Sequence, residues 1–148
     1  MNRVASLLLL LGGLAGCSDS GLKEFPVAEA TGVVLCEGKP VPFAKVFFNP
    51  RKKSDSKSAI VGKPGFAFAD KDGRFVLSTY GEGDGAVIGM HEVTATPDPG
   101  HPCNCWSDDI TVLMEAEVKS GQKNEFTVNV PPLAGGRKAP IDPDADPE

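Results

Sequence analysis

Between residues 31 and 130 apolar and polar side chains alternate with a period of two, in short runs broken by Gly, Pro, Asn or Asp. Residues 31–36 (TGVVLC), 44–49 (AKVFFN), 65–69 (GFAFA), 74–79 (RFVLST), 90–96 (MHEVTAT), 110–118 and 125–130 (EFTVNV) read as strands. No segment sustains the 3.6-residue period of an amphipathic helix. Strands that alternate in this way bury one face each, so two packed sheets are the economical arrangement, and the fold class is all-β. The inward set is Val46, Phe48, Phe75, Leu77, Val93, Phe126, Val128 and Val130, with Val33 or Val34 from the first strand. Parity there stays open, because Val33, Val34 and Leu35 are apolar on both faces.

The ends of the chain break the pattern. Residues 4–15 form an apolar run behind Arg3, the length of a signal-peptide core and too short for a permanent span. The run ends in Leu14-Ala15-Gly16-Cys17, which resembles the lipobox of bacterial lipoproteins. The resemblance implies a lipoprotein signal peptide over residues 1–16, cleavage before Cys17, and palmitate-type acylation of Cys17 that anchors the chain to a membrane. Ser18, rather than Asp, follows Cys17, and by analogy with sorting rules that implies the outer membrane. Residues 17–29 read as the lipidated N-terminus and a flexible tether, residues 30–130 as the folded domain, and residues 131–148, rich in Pro and Asp, as a disordered tail.

Charge narrows the function classes. The chain carries 15 basic and 20 acidic side chains; without Arg3 the basic count is 14. An acidic exported chain is a poor nucleic-acid binder, which needs clustered positive charge. The local basic run of Arg51, Lys52, Lys53 and Lys57 lacks interleaved aromatics and reads as a solvated loop.

The stretch FADKDGRFVLS, residues 68–78, poses a choice between a calcium loop and a hairpin tip. Counted from Asp70, the fifth, sixth and twelfth positions of an EF-hand are Arg74, Phe75 and Gly81, so the ligand pattern fails at all three. Asp70, Asp72 and Gly73 suit a tight turn, with positive φ at the glycine, so residues 65–69 and 74–79 are expected to answer each other as a hairpin, and residues 110–118 and 125–130 to form the last pair across residues 120–124.

Four pieces stand in order: GVVLCEGKPVPFAKVFFNP, FADKDGRFVLST, GDGAVIGMHEVTAT and VKSGQKNEFTVNV. Together they resemble the carboxypeptidase regulatory-like, or transthyretin-like, domain of bacterial envelope lipoproteins. The resemblance implies a prealbumin-like, Greek-key β-sandwich of about seven strands; it does not imply a catalytic activity. The paired histidines, arginine and tyrosine-rich C-terminus of the transthyretin-like hydrolases are missing here.

Two places invite chemistry. His91 falls on the inward parity with Val93 and Ala95, where a packed, hydrogen-bonded histidine is the expectation over a ligand or base. The stretch PGHPCNCWSDD departs from the family pattern. Export favours disulfides, and with Cys17 lipidated three thiols remain. The expected pairing is Cys36 with Cys103 or Cys105, stapling the loop to the first strand. The alternative is a copper or zinc site from His101, Cys103 and Cys105, although no second cysteine pair accompanies them. No nucleophile elbow, His-Glu-x-x-His or phosphate loop is present. The expected function is therefore that of a non-enzymatic envelope lipoprotein, without cofactor. Its sandwich binds, spaces or supports an envelope protein or polysaccharide; the alternative is a metal or redox protein using the loop at His101–Cys105.

Overall fold

The computed structural model describes residues 24–52, 61–105 and 107–133. Among them there is no helix, and the chain is all-β. The strands are β1 (Val27–Ala28), β2 (Ala30–Cys36), β3 (Lys39–Pro40), β4 (Lys45–Pro50), β5 (Gly65–Phe68), β6 (Arg74–Val76), β7 (Ala86–Val87), β8 (Gly89–Thr96), β9 (Met114–Val118) and β10 (Asn124–Asn129). Seven of these ten have three residues or more, the number the sequence led us to expect.

Two sheets carry the sandwich. In one, β2 pairs in parallel with β10 and antiparallel with β3 and β6. In the other the order is β5-β4-β8-β9, all antiparallel. A two-stranded ribbon of β1 and β7 lies beside them. The inward parity of β2 is Ala30, Val34 and Cys36, so the open choice resolves to Val34. Val34, Phe75 and Val128 of one sheet join Val46, Phe48, Val93, Ala95 and Val118 of the other in one apolar cluster. The Phe48 ring bridges the layers, with centroids 6.2 Å from Phe75 and 5.0 Å from Phe126. Gly32 lets the sheet close over this core: a Cβ there would collide with the carbonyl of Phe126 and the ring of Phe75.

Several expectations change. Residues 65–69 and 74–79 were expected to answer each other across their turn, yet β5 pairs with β4 and β6 with β2. One isolated bridge, Phe66 to Ser78, is what joins the two segments. Likewise β9 and β10 are not a pair; β9 closes the β8 edge and β10 runs beside β2. In both cases the turn carries the chain from one sheet to the other, because each strand buries its apolar parity against the opposite layer. Phe126 is half-buried rather than fully enclosed. Residues 110–113 precede the strand, held in a turn by the Asp108 carboxylate, which accepts from the N–H of Ile110 and Thr111. At the ends, Val27 and Ala28 pair with Val87 and Ala86, so the fold reaches into the expected tether. Pro132 bridges to Cys105, so the fold also takes in the start of the expected tail. The signal peptide, Cys17 and residues 134–148 lie outside the described residues.

Candidate functional site

The Asp70–Gly73 turn answers the calcium question by where its oxygens go. Oδ1 of Asp70 accepts from the N–H of Asp72 at 2.8 Å and of Arg74 at 2.9 Å. The Arg74 N–H bond, helped by that of Asp72 and by nearby positive charge, holds the Asp70 carboxyl below its ordinary range. Gly73 has φ 73° and donates to the Asp70 carbonyl. The aspartate therefore serves the backbone of the corner, as a turn-forming Asp does.

His91 is fully buried on the inward face of β8. Its Nε2 lies 2.6 Å from the carbonyl of Val87 and donates to it. Its ring packs 5.8 Å from that of Phe48. Nδ1 is buried with no hydrogen-bond partner among the described residues. The ring is a packed core histidine, enclosed within the sandwich.

The sulfur-bearing loop sits against the far end of β2. Cys103 and Cys105 form a disulfide, with Cα atoms 5.2 Å apart. This differs from the expected staple: Cys36 is a buried free thiol. The adjacency needed for the staple is nevertheless present. Cys36 Sγ lies 3.6 Å from the carbonyl oxygen of Asn104, the residue between the two half-cystines. That oxygen also accepts from the N–H of Leu133, and Cys105 bridges to Pro132, so the segment after β10 clamps the loop. Burial, reinforced by the negative charge of Glu37, pushes the Cys36 thiol up. The 5.2 Å between the two Cα atoms lies within the span a disulfide needs.

The metal alternative loses its donors in this oxidation state, because a disulfide carries no thiolate. His101 is engaged elsewhere: Nδ1 lies 2.6 Å from Oδ2 of Asp98, and the ring packs 4.3 Å from that of Phe43. Among the described residues no three His, Cys, Asp or Glu side chains are grouped to hold a metal ion.

The basic run also resolves in part. Arg51 pairs with Glu92 of β8 at 3.4 Å and with Glu115 of β9, so its charge is matched within the fold.

One surface was not anticipated. On the outer parity of β4 and β5, Phe47 stands opposite Phe66, their centroids 5.0 Å apart. Phe68 continues the row at 4.9 Å from Phe66 and is 60% exposed. Beside the row lies an open groove of about 400 Å³, walled by Asn49, Lys63, Pro64 and Asp109. Asp109 is held there by the Thr96 hydroxyl, which donates to it at 2.6 Å. The signal was present in AKVFFN and GFAFA. With Val46 and Phe48 inward, Phe47 had to face out, and a large aromatic on solvent parity is unusual.

No family model and no curated protein matches this chain. Among solved structures it is similar to a DUF3823 family protein from Parabacteroides merdae, with 16% identity and a TM-score of 0.43. The similarity covers 74% of this chain and 48% of that one, so the chain spans about half the length of the protein it matches.

Proposed function

We propose that this chain is a non-enzymatic module of the cell envelope, anchored through acyl chains on Cys17, that docks an envelope component on the outer aromatic face of β4 and β5. The observation that carries the docking is the contiguous row of Phe47, Phe66 and Phe68 on a surface parity. Phe68 is exposed and Phe47 and Phe66 are half-buried on that parity, and apolar area left on a surface marks interaction sites. The flat rings offer stacking area, and Asn49, Lys63 and Asp109 offer polar contacts around the groove. The partner is an envelope protein or polysaccharide. The anchoring half rests on the lipobox-like Leu14–Cys17, with Ser18 pointing to the outer membrane. The resemblance to carboxypeptidase regulatory-like domains supports a sandwich that accompanies other machinery.

Spacing follows from chain length. From Cys17 to Val27, the first residue of β1, the backbone reaches at most roughly 35 Å.

The test takes the full chain through export. The wild type should carry lipid on Cys17 and partition with membranes, and Cys17→Ser should be neither cleaved after Gly16 nor acylated. Processing of Cys17→Ser at Gly16, with continued membrane partition, would remove the anchor from this reading. The docking half is tested separately by substitutions in the aromatic row.

A further inference from the structure

Cys36 meets the loop closed by the Cys103–Cys105 bridge where β2 ends. Cys36 and Cys105 both belong to the buried apolar cluster, and Cys103 packs against it while remaining partly exposed. Cys36 Sγ approaches the loop at the carbonyl of Asn104, midway between the half-cystines. A free thiol at such a position is more than a core filler, because thiol–disulfide exchange needs a thiolate beside a disulfide, and Cys36 shares one buried cluster with Cys105.

We propose that Cys36, Cys103 and Cys105 form a thiol–disulfide exchange site in which Cys36 displaces Cys103 from Cys105. Cys36 gives its proton to solvent, and its sulfur attacks Sγ of Cys105. The Cys36–Cys105 bond forms as the Cys103–Cys105 bond breaks. The electron pair leaves on Sγ of Cys103, which takes a proton from solvent. No oxidant or reductant is consumed. The product exchanges a local ring for a staple that joins β2 to the loop, and the longer enclosed chain restricts the unfolded state more. Buried Cys105 stays bonded, and the partly exposed Cys103 becomes the free nucleophile. Its substrate class is a disulfide, on a protein or a small molecule. Attack by the Cys103 thiolate forms a mixed disulfide and releases one thiolate of that substrate. Deprotonation of buried Cys36 is unfavourable at neutral pH, so exchange accelerates with alkalinity.

This site is separate from the aromatic face, and either reading stands without the other. The test starts from full chain purified without reductant, incubated at mildly alkaline pH and sampled by acid-quenched peptide mapping. The expected result is a growing Cys36–Cys105 peptide with matching exposure of the Cys103 thiol. Added oxidised glutathione should then form its mixed disulfide at Cys103. In Cys36→Ala, Cys103 labelling should stay at background. A Cys103→Ser chain removes dependence on the starting disulfide: on mild oxidation Cys36 and Cys105 should join within one molecule and lose their thiol titre. Persistence of Cys103–Cys105 as the only bridge in the wild type would overturn the proposal. So would two stable thiols in Cys103→Ser that remain folded and unjoined.

Discussion

The side-chain amide of Asn124 donates to the carbonyl of Glu29, 3.0 Å away and 95 residues earlier in the chain. The same amide donates to the carbonyl of Lys119, while its oxygen accepts from the Lys119 N–H. One buried side chain thus organises the turn after β9 and ties it to the entry of β2. Replacing it strands several polar groups in the interior, where each unsatisfied group costs about 1–3 kcal/mol. Asn124→Ala is expected to destabilise the domain by about 2 kcal/mol or more in urea unfolding. An unchanged midpoint would mean the crossover between sheets does not depend on it.

Gly73 tests the corner. A Cβ at this residue would lie 2.8 Å from the carbonyl oxygen of Val34, and φ is 73°. Gly73→Val should therefore cost more than ~1 kcal/mol, combining strain with collision. Calcium should leave the wild-type melting temperature where it is, since Oδ1 of Asp70 is committed to backbone amides. A clear rise with calcium would contradict that assignment.

Asp84 gives the pH dependence. Burial pushes its carboxyl up, but the N–H groups of Thr79, Gly81 and Tyr80 bind the charged form and the net result is below the ordinary range. The folded state therefore holds this proton less tightly than the unfolded chain. The contribution is complete above the unfolded value of about 3.9 and is lost as pH falls through the lower folded one. Asp84→Asn should lower stability at neutral pH and flatten the acid limb of the stability curve, measured as melting temperature against pH. Equal acid slopes for the two proteins would show that the loop bonds do not favour the charged carboxylate.

Phe48 and Phe126 form a graded pair. Phe48 is fully enclosed between the sheets, and Phe126 is half-buried at 5.0 Å from it. Phe48→Ala should cost roughly 3–5 kcal/mol and Phe126→Ala distinctly less, because the latter leaves a cavity open to solvent. Urea midpoints at constant slope measure both. Equal losses would mean that Phe126 is enclosed as tightly as Phe48.

The strands were legible because period-two alternation is strong in residues such as Val46, Phe48, Val128 and Val130, all of which lie inside. Their partners were not. Asp70–Gly73 and the turn before Asn124 carry the chemistry of a chain reversal, and that chemistry is the same whether the next strand returns to its neighbour or crosses to the other sheet. The choice is made by distant residues, as when β10 settles parallel to β2. Two-residue strands such as Val27–Ala28 have no period to read. The cysteines show the same divide: the sequence suggested that the loop lies by β2, but the pairing depends on where residues 103–105 point their Cβ atoms. Phe47, Phe66 and Phe68 were each visible as strand residues, and only the β4–β5 register assembles them into one row.

The most direct measurement of the docking claim is saturable co-sedimentation with isolated cell envelopes of an unlipidated chain lacking residues 1–17, compared with the same chain carrying Phe68→Ser. Phe68 is largely exposed, so the substitution should leave the melting temperature unchanged. Loss of the most exposed aromatic of the row is worth about 2 kcal/mol or more in binding, so affinity should fall by more than about tenfold. Equal binding by the two proteins, or no saturable binding by either, would contradict a docking role for this face.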